Sequence, residues 1–163
     1  RLLNMGLAGG SLLDIGIYPI SLSSMLFGKP EEIVTTWHKG ETGVDEQAAY
    51  IFRHAEGALS IMHSSLEAQT SQETVLAGSE AMLKISRQCW RPQELILTRN
   101  DESEECFSLP FSGNGFNYEA EAFMELLRNG KLESDVMPLD ESISIMETLD
   151  DIRAQWGLRY PFE

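Results

Sequence analysis

The sequence predicts an α+β fold: an open, mostly antiparallel sheet with helices packed on one face. Three observations predict it. Residues 8–27 carry apolar side chains at helical spacing behind a glycine pair. Residues 31–110 switch to alternation with a period of two, interrupted by hairpin-type turns. Residues 117–157 return to helical spacing. Strands joined by short turns pair antiparallel, because a parallel pair needs a longer crossover. The 163 residues are enough for one domain with its own core, and the chain reads as a single domain over 1–163.

The first helix opens at Ala8-Gly9-Gly10-Ser11. Gly9 and Gly10 permit a sharp turn or a close approach to a ligand, and the Ser11 hydroxyl is suited to cap the first turn. Leu12, Leu13, Ile15, Ile17, Ile20 and Leu22 wrap most of the circumference, which predicts burial on nearly all sides. Pro19 predicts a bend just after Tyr18, and Gly28-Lys29-Pro30 ends the helix. Asp14 and Tyr18 are its polar exceptions. Their i,i+4 spacing stacks a carboxylate and a phenol on one face, the makings of a site, although a capping Asp and a core Tyr would leave the same trace.

The alternating region holds six or seven strands. Ile33/Thr35/Trp37 and Ala48/Tyr50/Phe52 mark the first two, and the His54–Gly57 turn leads into a third over 58–66. Gly78-Ser79-Glu80 joins two further strands, and residues 94–99 and 104–109 complete the set. Ser60, Ser64 and Ser65 suggest a less apolar strand face in a site or an interface. Asn117 is a candidate helix cap, with Ala122, Phe123, Leu126 and Leu127 as the buried stripe behind it. Pro138 and Asp140 start the last helix. Ile143, Met146, Leu149, Ile152 and Trp156 form its stripe, and Gly157 closes it.

Several function classes are disfavoured. Twenty-six acidic against twelve basic residues give a net charge of −14, which repels a phosphate backbone, so no nucleic-acid partner is expected. No apolar run reaches the ~20 residues of a membrane span and no leader opens the chain, so no membrane association is expected either. Starting at Arg1 without Met, the chain reads as a fragment or a processed product. His38, His54 and His63 lack partners at ligand spacing, so no metal is expected and the histidines read as satisfied surface or interface groups. Cys89 and Cys106 read as reduced thiols of a cytoplasmic protein. Neither GxxxxGK nor GxGxxG occurs, so no dinucleotide-binding unit is recognisable.

The run AGGSLLDIGIYPI resembles the signature that opens the second domain of the glucose–fructose oxidoreductase/inositol dehydrogenase (Gfo/Idh/MocA) family, nearest the branch of the dimeric dihydrodiol dehydrogenases. Gly78-Ser79-Glu80-Ala81, Asn117–Phe123 and Leu149–Leu158 are similar to later parts of that domain. The resemblance implies a C-terminal domain of the glyceraldehyde-3-phosphate dehydrogenase-like type, belonging to a two-domain oxidoreductase whose N-terminal Rossmann domain is absent from this chain. It implies NAD or NADP held mainly by that domain, a sugar, polyol or dihydrodiol substrate, and a homodimer formed through the sheet face. Tyr18 would be the proton donor and acceptor, aided by a lysine of the other domain, and Asp14 would orient a substrate hydroxyl or the nicotinamide edge. Gly9 and Gly10 would approach the cofactor. Ser11 departs from the glycine often found at that place in the family. A non-catalytic binding or dimerisation module built on the same sheet is the alternative.

Overall fold

Seven strands form where the period-two pattern places them, and three α-helices form where the spacing is helical. The computed structural model describes residues 1–163. The strands are β1 (Glu32–Lys39), β2 (Asp45–Arg53), β3 (Leu59–Ser65), β4 (Thr74–Ala77), β5 (Ala81–Ile85), β6 (Glu94–Arg99) and β7 (Glu104–Ser108). The helices are α1 (Ile17–Phe27), α2 (Phe116–Arg128) and α3 (Leu139–Trp156), with a π-helical turn, Leu12–Gly16, running directly into α1. All strand pairs are antiparallel, but they make two sheets, β1-β2-β3 and β4-β5-β6-β7, where one was expected. The break has a local cause. The Ser65 hydroxyl accepts hydrogen bonds from the amides of Glu67 and Ala68, a turn that competes with the ladder and ends β3.

The chain divides into two compact units, the first comprising Arg1–Thr70 with Asp135–Glu163 and the second Ser71–Ser134. In the first, one face of the three-stranded sheet carries Tyr50, Phe52 and Met62, packed with Leu12 and Ile20 of the first helix and Ile145, Leu149 and Ile152 of α3. Trp156 extends this core by stacking on Trp37 at 5.2 Å between ring centroids, and its Nε1–H donates to Thr35 Oγ1. The buried stripe of α3 is therefore Ile145, Leu149 and Ile152, while Ile143 and Met146, expected inside, are exposed. The outer face of the same sheet is open: Val34, Ile51 and Ile61 lie side by side in register, and Ile61 is 80% exposed.

α1 is less enclosed than expected. Ile20 and Ser23 are buried, but Met25, Leu26 and Phe27 are exposed. A second correction concerns length. Met5–Phe27, counted as one helical stretch of 23 residues, is long and apolar enough to cross a membrane by composition. Part of it packs inward: Leu12 and Ile20 belong to the core of the first unit, and Ser23 hydrogen bonds into the sheet.

The second unit is thinly packed, Ile85 being its one buried hydrophobic side chain. The expected α2 stripe is present but not buried, and Phe123 is 60% exposed. Asn117 does not cap α2. The Asn114 carboxamide accepts the Phe116 amide instead, and Asn117 lies one residue inside the helix.

Candidate functional site

The site grows out of the turn that delivers the first helix. Asn4 caps a short 3₁₀ turn, Met5–Leu7, and Ala8 adopts a left-handed conformation (φ 51°). Gly9 then donates its amide to Asn4 O, and Gly10 donates to Leu2 O at 2.8 Å. Both glycines are buried and needed. A Cβ on Gly9 would lie 2.3 Å from the Leu2 carbonyl oxygen, and one on Gly10, at φ +126°, would lie 2.0 Å from Asp45 Oδ1. The close approach that these glycines permit is thus to residues of their own chain, so the pair makes no open cradle for a nucleotide. From the C-terminal end, the Tyr160 hydroxyl donates to Gly9 O at 2.8 Å.

Ser11 does not cap the helix. Asp45 does, accepting the Leu12 amide at 2.6 Å and the Ser11 hydroxyl at 2.9 Å on Oδ2. Ser11 Oγ in turn meets Ser64 Oγ at 2.8 Å, and Ser64 Oγ meets the Tyr50 hydroxyl at 2.7 Å. The result is a buried polar chain, Asp45–Ser11–Ser64–Tyr50, running from the start of β2 across the inner sheet face. Burial pushes the Asp45 carboxyl up, opposed by the hydrogen bonds from Leu12 and Ser11. Burial likewise pushes the Tyr50 phenol up, and with the negative Asp45 it raises Tyr160 to about 12.

Beyond this cap the backbone is underwound and wider: the Ile17 amide reaches back to Leu12 O, five residues earlier, the mark of a π-turn. The irregularity thus precedes Tyr18, where a bend after it was expected. Pro19 lies inside this continuous helical stretch, where it removes one backbone hydrogen bond, and the wider turn before it makes room for its ring. Gly16 is required on the inner side, because a Cβ there would lie 2.9 Å from the Tyr50 hydroxyl. Asp14 is half-buried and ion-paired with Arg1. Tyr18 is 49% exposed. Of the residues singled out from the sequence, Asp14 and Tyr18 reach the surface, whereas Gly9 and Gly10 lie beneath it.

A second buried polar cluster anchors the far end of the same helix. His54 Nε2 lies 2.9 Å from Ser23 Oγ and 3.2 Å from Ser60 Oγ, and its Nδ1 is 3.1 Å from Gly28 O. The imidazole is 1% exposed, so His54 is a core histidine and not a surface one. Ser60 and Ser64, expected as a polar strand face, are the contributions of β3 to these two clusters. His63, in contrast, pairs across the ladder with Ala49 on the exposed face.

Asp45 and Tyr160 carry no signal in the sequence, and Tyr50 shows there only as one residue of an alternating strand. Alternation through Phe52, Tyr50 and Ala48 would put Glu46 inside. The register of β1 with β2 steps from His38–Gln47 to Lys39–Asp45, leaving Glu46 as an extra residue, and this bulge turns Asp45 inward instead.

This fold belongs to a recognised class. Residues 2–84 match the family model for the GFO/IDH/MocA C-terminal domain, and the chain belongs to that family. Among individual proteins it is similar to trans-1,2-dihydrobenzene-1,2-diol dehydrogenase of Homo sapiens, with 34% identity over 171 residues covering 99% of this chain and 50% of that protein. The Bos taurus enzyme of the same name is 36% identical, covering 94% of this chain and 48% of its own length. The chain thus spans about half the length of these relatives. Two solved structures share the fold. One is aldose-aldose oxidoreductase from Caulobacter crescentus complexed with glycerol (TM-score 0.80, 19% identity, 96% of this chain and 49% of that one). The other is KijD10, a 3-ketoreductase from Actinomadura kijaniata, with NADP and TDP-benzene (TM-score 0.75, 24% identity, 90% of this chain and 46% of that one).

Proposed function

We propose that this chain is the substrate-side domain of a two-domain, cytoplasmic NAD(P)-dependent oxidoreductase acting on a dihydrodiol, polyol or sugar, and that Tyr18 is its proton donor and acceptor. The observation that carries the reading is the way the helix is held. Its inner side is locked by the glycine turn and the Asp45 cap, while the phenol of Tyr18 and the carboxylate of Asp14 stand at its surface. A group that must meet a substrate has to be accessible and carried on a fixed support, and Tyr18 is exposed on a helix anchored at its base. Its hydroxyl would pass a proton to or from the reacting oxygen of the substrate, and Asp14, now engaged by Arg1, would accept a substrate hydroxyl. Nicotinamide, when bound, supplies the hydride chemistry; the buried glycine pair does not fit a cofactor cradle, and NAD or NADP is assigned to a separate nucleotide-binding domain. The names of the dihydrodiol dehydrogenase relatives support the reaction class, and the unpaired thiols of Cys89 and Cys106 support the compartment.

The exposed outer sheet face with Val34, Ile51 and Ile61 supports a homodimer through that face. Sedimentation of this chain at micromolar concentration is expected to give a dimer that Ile61→Asp converts to monomer; a monomeric wild-type chain contradicts it. The catalytic reading is tested by assaying the full-length protein with NAD or NADP against a panel of dihydrodiols, polyols and sugars. Nicotinamide-dependent turnover of at least one of these classes is expected. A full-length protein that binds neither cofactor would leave the sheet as a binding module.

A further inference from the structure

Asp45 lies outside the proposed chemistry, yet several features of the first unit converge on it. It is fully buried. A bulge in β2 turns it toward the helix, at the cost of one regular rung of the ladder. Gly10 lacks the side chain that would collide with its Oδ1. Its Oδ2 holds two groups at once, the backbone amide of Leu12 and the hydroxyl of Ser11. Its Oδ1 is buried without a hydrogen-bond partner. A surface carboxylate would cap a helix at less cost, because a buried oxygen without a partner forgoes its hydration.

We propose that Asp45 is a positioning residue for Tyr18: reaching across from the sheet, it fixes the start of the π-turn and thereby the place of the phenol six residues on from Leu12. This rests on the catalytic reading of Tyr18 for its consequence, but not for its structural claim. The physical argument is leverage. The amide of Leu12 is an otherwise unpaired donor at the helix start, and Leu12 O is the acceptor that defines the π-turn through Ile17 N. The residue clamped at its amide by Asp45 is therefore the one that sets the winding directly before Tyr18. Ser11, Ser64 and Tyr50 brace the carboxylate from the side, and Tyr160 braces Gly9 from the C-terminal segment. Releasing the clamp would leave the core side chains in place and free this one turn to shift, carrying Tyr18 with it.

The test uses the isotope-labelled 163-residue chain. Amide hydrogen exchange at Leu12 and the ring signals of Tyr18 are read against the amides of Tyr50 and Phe52, which report the core. In Asp45→Ala, exchange at Leu12 is expected to accelerate at least about tenfold beyond any change at Tyr50 and Phe52, and the Tyr18 ring signals to shift. Asp45→Asn, whose amide oxygen can still accept the Leu12 amide, is expected to recover most of both. If Asp45→Ala does not fold, Asp45→Glu keeps the charge on a longer arm and is expected to move the Leu12 and Tyr18 signals while Phe52 holds still. In the full-length protein Asp45→Ala is expected to lower kcat about tenfold with little change in KM. Unmoved Leu12 and Tyr18 signals, or an Asn variant as perturbed as the Ala variant, overturn the proposal. Those readouts need no turnover, so failure of the catalytic reading and failure of this one are told apart.

Discussion

The first helix is tied to the sheet by two buried polar clusters, and they are built differently. At its far end, Ser23, His54 and Ser60 satisfy one another, and His54 uses its second nitrogen on the Gly28 carbonyl. At its near end, Asp45, Ser11, Ser64 and Tyr50 hold a backbone amide, and one carboxylate oxygen goes unmatched. The far cluster joins two elements and leaves regular α-helix behind it. The near cluster sits on a π-turn, next to the surface that bears Asp14 and Tyr18. A fully satisfied cluster is what stability alone would select. The near cluster thus combines an oxygen without a partner and an unusual turn, which the proposed role of Tyr18 would account for.

Glycine substitution at the two ends should separate them most. Gly10→Ala adds a side chain at φ +126° against Asp45 and is expected to destabilise by about 3 kcal/mol or more. Gly28→Ala, with open space around it but a backbone at φ +73° and ψ −171° that favours glycine, should cost about 2 kcal/mol. Denaturant midpoints measure both, and equal losses would erase the distinction. Next in size, Asp45→Ala strands the Leu12 amide and should cost about 2–3 kcal/mol, against about 1 kcal/mol for Ser23→Ala, whose partners His54 and Ser60 keep each other.

The smallest effect is on pH dependence. The carboxyl of Asp45 is raised by burial, with Ser11 and Leu12 hydrogen bonded to it and Tyr50 and Tyr160 the titratable groups nearby. Between its ordinary value and its raised one, the folded state holds the proton more tightly than the unfolded state. This residue's contribution to stability therefore falls as pH rises through that window and is level above it. The difference in stability between wild type and Asp45→Asn should carry that slope. A difference independent of pH between 3 and 7, roughly the carboxylate range, would mean that Asp45 titrates normally.

Much of this was legible in the sequence. The glycine pair, the alternation through Tyr50 and Phe52, and the Gly157 stop each leave a local signal, and the family signature brought Asp14 and Tyr18 into view. Asp45 left none, because it faces inward through a bulge that breaks its strand's alternation, and such bulges depend on what the strand must reach. Ser11 was read as the cap because a serine before an apolar helix often is one; a carboxylate from 34 residues away took the role. The stripe of α2 shows the converse limit. Phe123 and Leu127 have the spacing of a buried face, yet both are exposed here, since periodicity marks which side is apolar and not what covers it.

The central claim is that the helix is held so that Tyr18 can move a proton. The most direct measurement compares wild type with Tyr18→Phe in the full-length protein, following turnover and cofactor binding separately. The account predicts a loss of kcat of about 100-fold or more with cofactor affinity unchanged. Undiminished turnover in Tyr18→Phe would contradict it and return the whole helix to architecture.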